Sequence, residues 1–431
     1  MSRSPKKPYR IEGSVAPGFE SVKQLYEHNM QTLVERSTQL CVYHGGQKVV
    51  DLWATIEEGS DFSADTLVNV FSSGKNLETI AMAWLVGKGL LSYSAKITDY
   101  WPEFGANGKG ELTVADLMRH EAGLATFDTS IVGEDLFADN LKLNKVGSII
   151  EAQTQTYKEG SGSRREYHAI TRGWIVNEVF RRVDPAGRTI GEFLQEEIST
   201  PLEVDAFIGL KEEQLGRREK VSMLGLGFQF LESLKPKFLG RRIESNIFQL
   251  IAKIIRLIPA LRGGSRPKPP APFRGMRKIE FFNEPVIAMG ETPSANTNST
   301  ARGLAKVAAM MAAQGKWDGK DYLTDTAWAA LHEDPITADM GGLMTTNFTQ
   351  GGVALFSEPA VGSSKLVRGL NEGREGFYGW MGLGGSLFQW HPEHNIGFGY
   401  VPTSLNVLDL VNERGKAYQA EVVRCIERLN G

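Results

Sequence analysis

The sequence predicts an α+β fold: an antiparallel β-sheet built from N- and C-terminal strands and flanked by helices, with a mostly helical region inserted between them. Three observations carry that prediction. Strand–turn–strand patterns occur at residues 39–54 and again at 386–403. Helical periodicity fills much of the interval between them. Both ends also carry apolar faces, which a shared layer would bury. At 431 residues, with 41% hydrophobic and 23% charged, the chain suits one large domain or two closely joined ones and is too apolar for disorder.

Taken in order, residues 17–35 place Val22, Leu25, Met30 and Leu33 on one helical face. "QLCVYHGGQKVVDLWA" reads as a hairpin turning at Gly45-Gly46. "VFSSGKNLETIAMAWLVGKGLL", residues 70–91, opens on small residues and becomes a helix with Leu77, Ile80, Ala81, Trp84 and Leu85 on one face, stopping near Gly87 and Gly89. Thr113 begins a further helix to His120, with Asp116 as the acid of a capping box. Residues 165–183 and 189–199 are also helical in pattern. Helix 301–313, the Pro392 hairpin at 386–403 and a closing helix from about 408 to 429 complete the chain, which contains no internal repeat. The expected division is a sheet domain of 1–112 and 285–431 around a helical domain of 113–284.

The helical part holds a basic insert at 211–275, with 14 Lys or Arg against five Glu, a net of +9 in a chain whose total is −3. Three readings of its apolar portion, 229–275, are open. It is a packed helical hairpin with solvated cations, a lid whose Phe228, Phe230, Phe248 and Ile251 meet an apolar substrate, or an amphipathic element in peripheral contact with an anionic membrane.

Three Ser-x-x-Lys spacings occur, at Ser4/Lys7, Ser72/Lys75 and Ser265/Lys268. Only Ser72 precedes a helical pattern; the others lie in Pro-containing coil. Residues three apart share a helix face, so Lys75 stands beside the Ser72 hydroxyl at a helix mouth. A partly desolvated amine can take the serine proton, while the helix N-terminus favours an oxyanion. A serine N-cap followed by a solvated lysine is the other reading, and the residues alone leave both open.

The blocks "TLVNVFSSGKNLETIA", "ITDYWPEFGANGKGELTVADLMRHEAGL", "YHAITRGWIVNEVFRR", "PSANTNSTARGLAKVAAMMA" and "YGWMGLGGSLFQWHPEHNIGFGYV" together resemble the serine β-lactamase-like family, in its esterase-like branch, across roughly residues 20–425 apart from the insert. The resemblance implies a β-lactamase/transpeptidase-like fold and a serine hydrolase acting on carboxylic esters through a covalent acyl-enzyme. It implies Ser72 as nucleophile, Lys75 as base and Tyr167 as proton shuttle, the phenol's pKa being lowered by its polar neighbours. The Ser72 and Leu383 amides would form the oxyanion hole. Trp380 and Gly382 would line the substrate site, as would His168, Ser294 and Asn296, although Ser294 or Asn296 could instead cap the helix near Thr300. Ala169 replaces the Asn of the family's Tyr-x-Asn element, and Trp380 replaces the cation of its Lys-Thr-Gly element. Both departures favour an esterase over a β-lactamase or D-amino-acid peptidase. A catalytically silent scaffold of the same fold is a further alternative.

His120 resembles a structural histidine of the family. His391 and His394, with no further ligands, make a poor metal site. No dinucleotide, metalloprotease or Gly-x-Ser-x-Gly motif occurs, so no cofactor and no metal are expected. The balanced charge gives no reason for a nucleic-acid partner. The expected partner is a small-molecule ester or amide substrate; oligomeric state is left open. "MSRSPKKPYRIEG" is basic without a following apolar core, and no run reaches a membrane span, so a cytoplasmic protein is expected. Cys41 and Cys425 read as buried thiols, with a disulfide between them not ruled out.

Overall fold

The computed structural model describes residues 9–157, 162–261 and 268–431. Ser4, Lys7 and Ser265 lie outside the described residues. Nine strands form one sheet: β1 (Arg10–Val15), β2 (Ser37–His44), β3 (Gln47–Thr55), β4 (Ile336–Asp339), β5 (Thr345–Phe348), β6 (Ala354–Leu355), β7 (Tyr378–Met381), β8 (Leu387–His391) and β9 (Ile396–Pro402). Their order is β1-β3-β2-β9-β8-β7-β6-β5-β4, and every neighbouring pair is antiparallel. The N-terminal strands join the C-terminal ones where β2 pairs β9, from Thr38 opposite Pro402 to His44 opposite Ile396. The sheet is thus closed from both ends of the chain, as the α+β reading requires.

Local chemistry explains the hairpins. Gly45 and Gly46 both adopt positive φ, 57° and 76°, which a two-residue turn between right-twisted strands demands. The β8–β9 turn carries Pro392 and a left-handed Asn395 at φ 48°. The main helices are α1 (Glu20–Thr32), α2 (Lys75–Gly87), α3 (Thr171–Val183), α4 (Leu226–Ser233), α5 (Ile247–Leu261), α6 (Ala301–Ala312) and α7 (Glu413–Asn430). The Thr113 capping box forms as expected: its hydroxyl accepts the Asp116 N–H at 3.1 Å, and the Asp116 carboxylate accepts the Thr113 N–H at 2.9 Å.

Period-two alternation splits the core between the two faces of the sheet. Leu40 and Val42 of β2, with Ile396, Phe398 and Tyr400 of β9, pack with α1 and α7. Cys41 and Val401 face the opposite way, toward α2, α3 and α6. Cys41 and Cys425 consequently belong to different core clusters and are both free thiols, so the disulfide left open by the sequence does not form.

Gly397 and Gly399 of β9 let α6 lie directly on the sheet. A Cβ at Gly399 would collide with the Ala301 carbonyl and come 2.9 Å from the Ala305 nitrogen. Gly399→Val is therefore expected to destabilise the protein by about 3 kcal/mol, because a packed helix cannot retreat from one side chain without opening its whole contact. A urea midpoint equal to that of the parent would contradict this packing account.

Two expectations need correction. Residues 165–170 are not helical; α3 begins at Thr171, so Tyr167 sits in the irregular segment leading to it. The insert is not an ordinary packed hairpin either. In α4 it is Gln229, Glu232 and Ser233 that are buried, whereas Phe230 and Leu231 face outward. Hydrogen bonding dictates this orientation. The Glu232 carboxylate accepts the Arg242 N–H at 3.0 Å and pairs with Lys235 at 2.6 Å, while the Gln229 amide donates to the Leu224 carbonyl at 2.9 Å.

Candidate active site

The site starts from a tight turn. Residues Phe71–Gly74 form one turn of 3₁₀-helix that runs directly into α2. Phe71 holds a left-handed conformation, φ 47°, uncommon for a bulky side chain and typical of strained functional turns. The Asn69 side chain stabilises it by accepting the Phe71 N–H at 2.8 Å. The Val70 carbonyl accepts the Ser386 hydroxyl at 2.7 Å, binding the turn to the end of the sheet. Gly382, just beyond β7, passes so close that any Cβ there would strike the Val70 carbonyl and the Ser386 hydroxyl. A glycine at this point allows the β7 edge to lie against the Ser72 turn.

Lys75, the first residue of α2, is buried with Nζ 3.3 Å from the Ser72 Oγ. The same nitrogen donates to the Ala169 carbonyl at 2.7 Å and the Ser294 carbonyl at 2.9 Å. Burial pushes its pKa well below the ordinary lysine value; Arg172 acts in the same direction and Glu78 opposes. The two carbonyls and the serine oxygen are three acceptors around one nitrogen, so they fix the amine with one of its positions facing Ser72 Oγ.

Tyr167 closes the constellation. It shares a hydrogen bond with Ser72, and the indole Nε1 of Trp380 donates to its Oη at 2.8 Å. Lys75 Nζ lies 5.0 Å from the centre of its ring. The expected lowering of its pKa is not found: burial raises it, against the hydrogen bonds from Ser72 and Trp380. Tyr167 is therefore a neutral phenol with one O–H proton to donate.

Ser72, Tyr167, Ala169, Trp380, Gly382 and Leu383 border a cavity of about 240 Å³. Met276, Ile279, Phe282, Leu343 and Val407 make its remaining wall mostly apolar, and among the described residues Asp409 is the only ionisable side chain on it besides Tyr167. Phe228, Phe230, Phe248 and Ile251 do not border this cavity, so the lid reading fails for those residues.

Three candidate substrate contacts lie elsewhere. His168 is fully buried; its Nε2 accepts the Leu124 N–H at 3.0 Å, and its Nδ1 lies 2.6 Å from the Glu166 carbonyl. Ser294 turns its hydroxyl to Glu78 at 2.9 Å and contributes only a carbonyl, to Lys75. Asn296 binds the Ile287 carbonyl at 2.6 Å and accepts the Thr292 N–H at 3.0 Å, so it braces a loop. Neither Ser294 nor Asn296 caps α6; the Thr300 hydroxyl does so, accepting the Gly303 N–H at 2.9 Å. His120 is structural: buried at a left-handed position beyond a helix end, its Nδ1 accepts the His168 N–H at 3.1 Å. Among the described residues, no group of three or more His, Cys, Asp or Glu is placed to hold a metal ion.

Sequence reasoning missed one pair. Glu78 and Arg172 form a fully buried ion pair at 2.6 Å immediately behind Lys75, and Arg172 also donates to the Met118 carbonyl at 2.8 Å. Spacing alone could have placed Glu78 on the Lys75 face of α2, but nothing in the sequence pairs it with an arginine 94 positions away.

Residues 22–421 match the family described as Beta-lactamase, and the chain belongs to that family. It is thereby a serine hydrolase of the β-lactamase class. A relative from Mycobacterium tuberculosis, "Esterase/beta-lactamase LipL", is 27% identical over 401 residues, covering 92% of this chain and 83% of that protein. Among solved structures, a family VIII carboxylesterase is 23% identical with a TM-score of 0.73, covering 96% of this chain and all (100%) of the other. A penicillin-binding protein homologue from Caulobacter crescentus is 24% identical with a TM-score of 0.68, covering 95% of this chain and 100% of its own. At these identities the two structures establish the common fold.

Proposed function

We propose that the protein hydrolyses carboxylic esters through an acyl-enzyme on Ser72. The observation that carries this is the Lys75 amine, sunk beside Ser72 Oγ at 3.3 Å with its two other contacts both to carbonyls. In the first step Lys75 takes the Ser72 proton as Oγ attacks the ester carbonyl carbon. The Ser72 and Leu383 N–H groups stabilise the oxyanion. Tyr167 relays the proton to the departing alkoxide, so the alcohol leaves and the acyl group stays on Ser72. Water, deprotonated by the same groups, then attacks the acyl carbon and releases the acid. The sheet parts, 1–112 and 285–431, and the helical part, 113–284, act as two walls with this chemistry between them.

An apolar cavity and an indole where β-lactam enzymes carry a cation support an uncharged ester in preference to a penicillin carboxylate. The carboxylesterase neighbour supports the ester reading, while the relative's name carries both activities. Purified protein is expected to hydrolyse p-nitrophenyl esters of short acids and to take a fluorophosphonate label that maps to Ser72. A folded protein that takes no such label would favour the silent-scaffold alternative, and penicillin acylation at Ser72, read by intact mass, would favour the β-lactamase one.

The buried pair behind Lys75 yields a pH test. Glu78 raises the Lys75 pKa and Arg172 lowers it. Activity needs the neutral amine, so kcat/KM falls as pH drops through that pKa. Glu78→Gln removes the raising charge and frees Arg172, so the acid limb should move to lower pH. Arg172→Met should move it to higher pH. Both variants break a buried ion pair and should lose about 3–5 kcal/mol of stability. A purely structural pair would give the same stability loss with no opposed displacement of the limbs.

A further inference from the structure

The basic insert is turned inside out. A helix on a protein surface ordinarily buries its apolar side, but α4 buries Gln229, Glu232 and Ser233 and presents Leu226, Phe230 and Leu234 outward at four-residue spacing. The loop after it exposes Phe238 at 86% and Leu239, and α5 exposes Phe248 at 80% with Ile251 and Ile255 on the same side. Of the 15 large apolar side chains exposed among the described residues, ten fall between Leu226 and Ile255. Such a concentration needs an apolar partner.

Charge selects that partner. Lys235 and Lys237 stand exposed beside Phe238, and Arg277 and Lys278 are exposed further along the chain. The acids from 226 to 255 are Glu232, buried and paired with Lys235, and the half-buried Glu244. We infer that this face docks on an anionic lipid bilayer, with the apolar side chains of α4, the 238–239 loop and α5 entering the acyl boundary and the lysines meeting headgroup phosphates. A second copy related by two-fold symmetry would set a cationic face, five Lys or Arg against two Glu over 226–255, against itself. Among the described residues no helix is long and apolar enough to cross a membrane, so the element lies along the surface.

The face adjoins the hydrolase site. Met276 and Ile279 line the cavity, and the exposed Arg277 and Lys278 lie between them in the chain. On the other side the Leu224 N–H donates to the Leu405 carbonyl at 2.9 Å, two residues before Val407 of the cavity wall. Docking would hold the cavity mouth at the lipid boundary, where apolar esters concentrate; that consequence, unlike the docking itself, rests on the ester-hydrolase reading.

The test is flotation of the full-length protein with phosphatidylcholine vesicles, with and without phosphatidylserine. The expected result is binding to the anionic vesicles, weakened by salt. Phe238→Asp with Phe248→Asp should abolish it, and Lys237→Glu with Lys278→Glu should weaken it at least about tenfold. All four side chains lie at the surface, so circular dichroism should match the parent. Ser72→Ala should float like the parent; if esterase activity were never found, that result would leave the docking standing while the hydrolase reading fell. No binding to either vesicle, or unchanged binding by both double variants, would overturn the inference. So would a solution dimer that Phe238→Asp with Phe248→Asp splits, since a second copy would then cover the face.

Discussion

Replacing Ser72 with alanine is expected to lower kcat/KM for a short p-nitrophenyl ester by about 10⁴-fold or more and to remove all covalent labelling. The change deletes one oxygen from a side chain that is 9% exposed. Lys75 keeps its carbonyl contacts at 2.7 and 2.9 Å, so the cleft should hold its shape and the melting temperature should barely move. What disappears is the atom proposed to form the acyl bond. Any residual rate would come from water attacking an ester that is still bound and polarised by the turn N–H. Appreciable turnover in this variant, or a probe adduct mapped to another residue, would remove Ser72 from the chemistry.

The second large effect is at Lys75. Lys75→Met should cost about 10³-fold in kcat/KM, within the range for a lost general base. Methionine matches the length and suits the buried setting, but it leaves the Ala169 and Ser294 carbonyls without their donor. The desolvated amine vanishes with them, so the net stability change should be small. Lys75→Arg separates charge from basicity. Guanidinium keeps the hydrogen bonds and fixes a positive charge, but it does not give up a proton at working pH, so this variant should be as inactive as Lys75→Met. The parent's acid limb should report an amine whose pKa burial has depressed, with activity lost as pH falls through that value. In Lys75→Met the limb should be absent. Arginine restoring activity would show that charge, and not proton transfer, is what the site needs.

The fold was legible where short-range chemistry determines it. Gly45-Gly46 and Pro392 mark hairpins by the backbone angles they permit, and the Thr113–Asp116 box announces a helix start. Ser72 and Lys75 were legible because three residues on a helix mouth bring their side chains together without help from the rest of the chain. Contacts between distant segments were not. Whether His168, Ser294 or Asn296 looked into the cleft depended on bonds to Leu124, Glu78 and Ile287, partners between 9 and 216 positions away that no local pattern encodes. Tyr167 was correctly grouped with Ser72, yet its proton affinity was misjudged, since burial outweighs its polar neighbours and burial is a tertiary property. In the insert, apolar periodicity was visible but its direction was not, because hydrogen bonds of Glu232 and Gln229 turn the helix round.

The junction of Ser37–His44 with Ile396–Pro402 has a further meaning for biosynthesis. A chain leaves the ribosome in order, so the segment bearing Ser72 is made more than 300 residues before the strand that completes the sheet. Until then β2 offers an unpaired edge, and α6 lacks the glycine-lined strand it rests on. A polypeptide terminated before residue 396 would carry every atom of Ser72 and Lys75 and none of the strand that joins their wall to the rest. Such a nascent product should be held by chaperones or degraded, and translation through the last hairpin is the event that makes a working molecule.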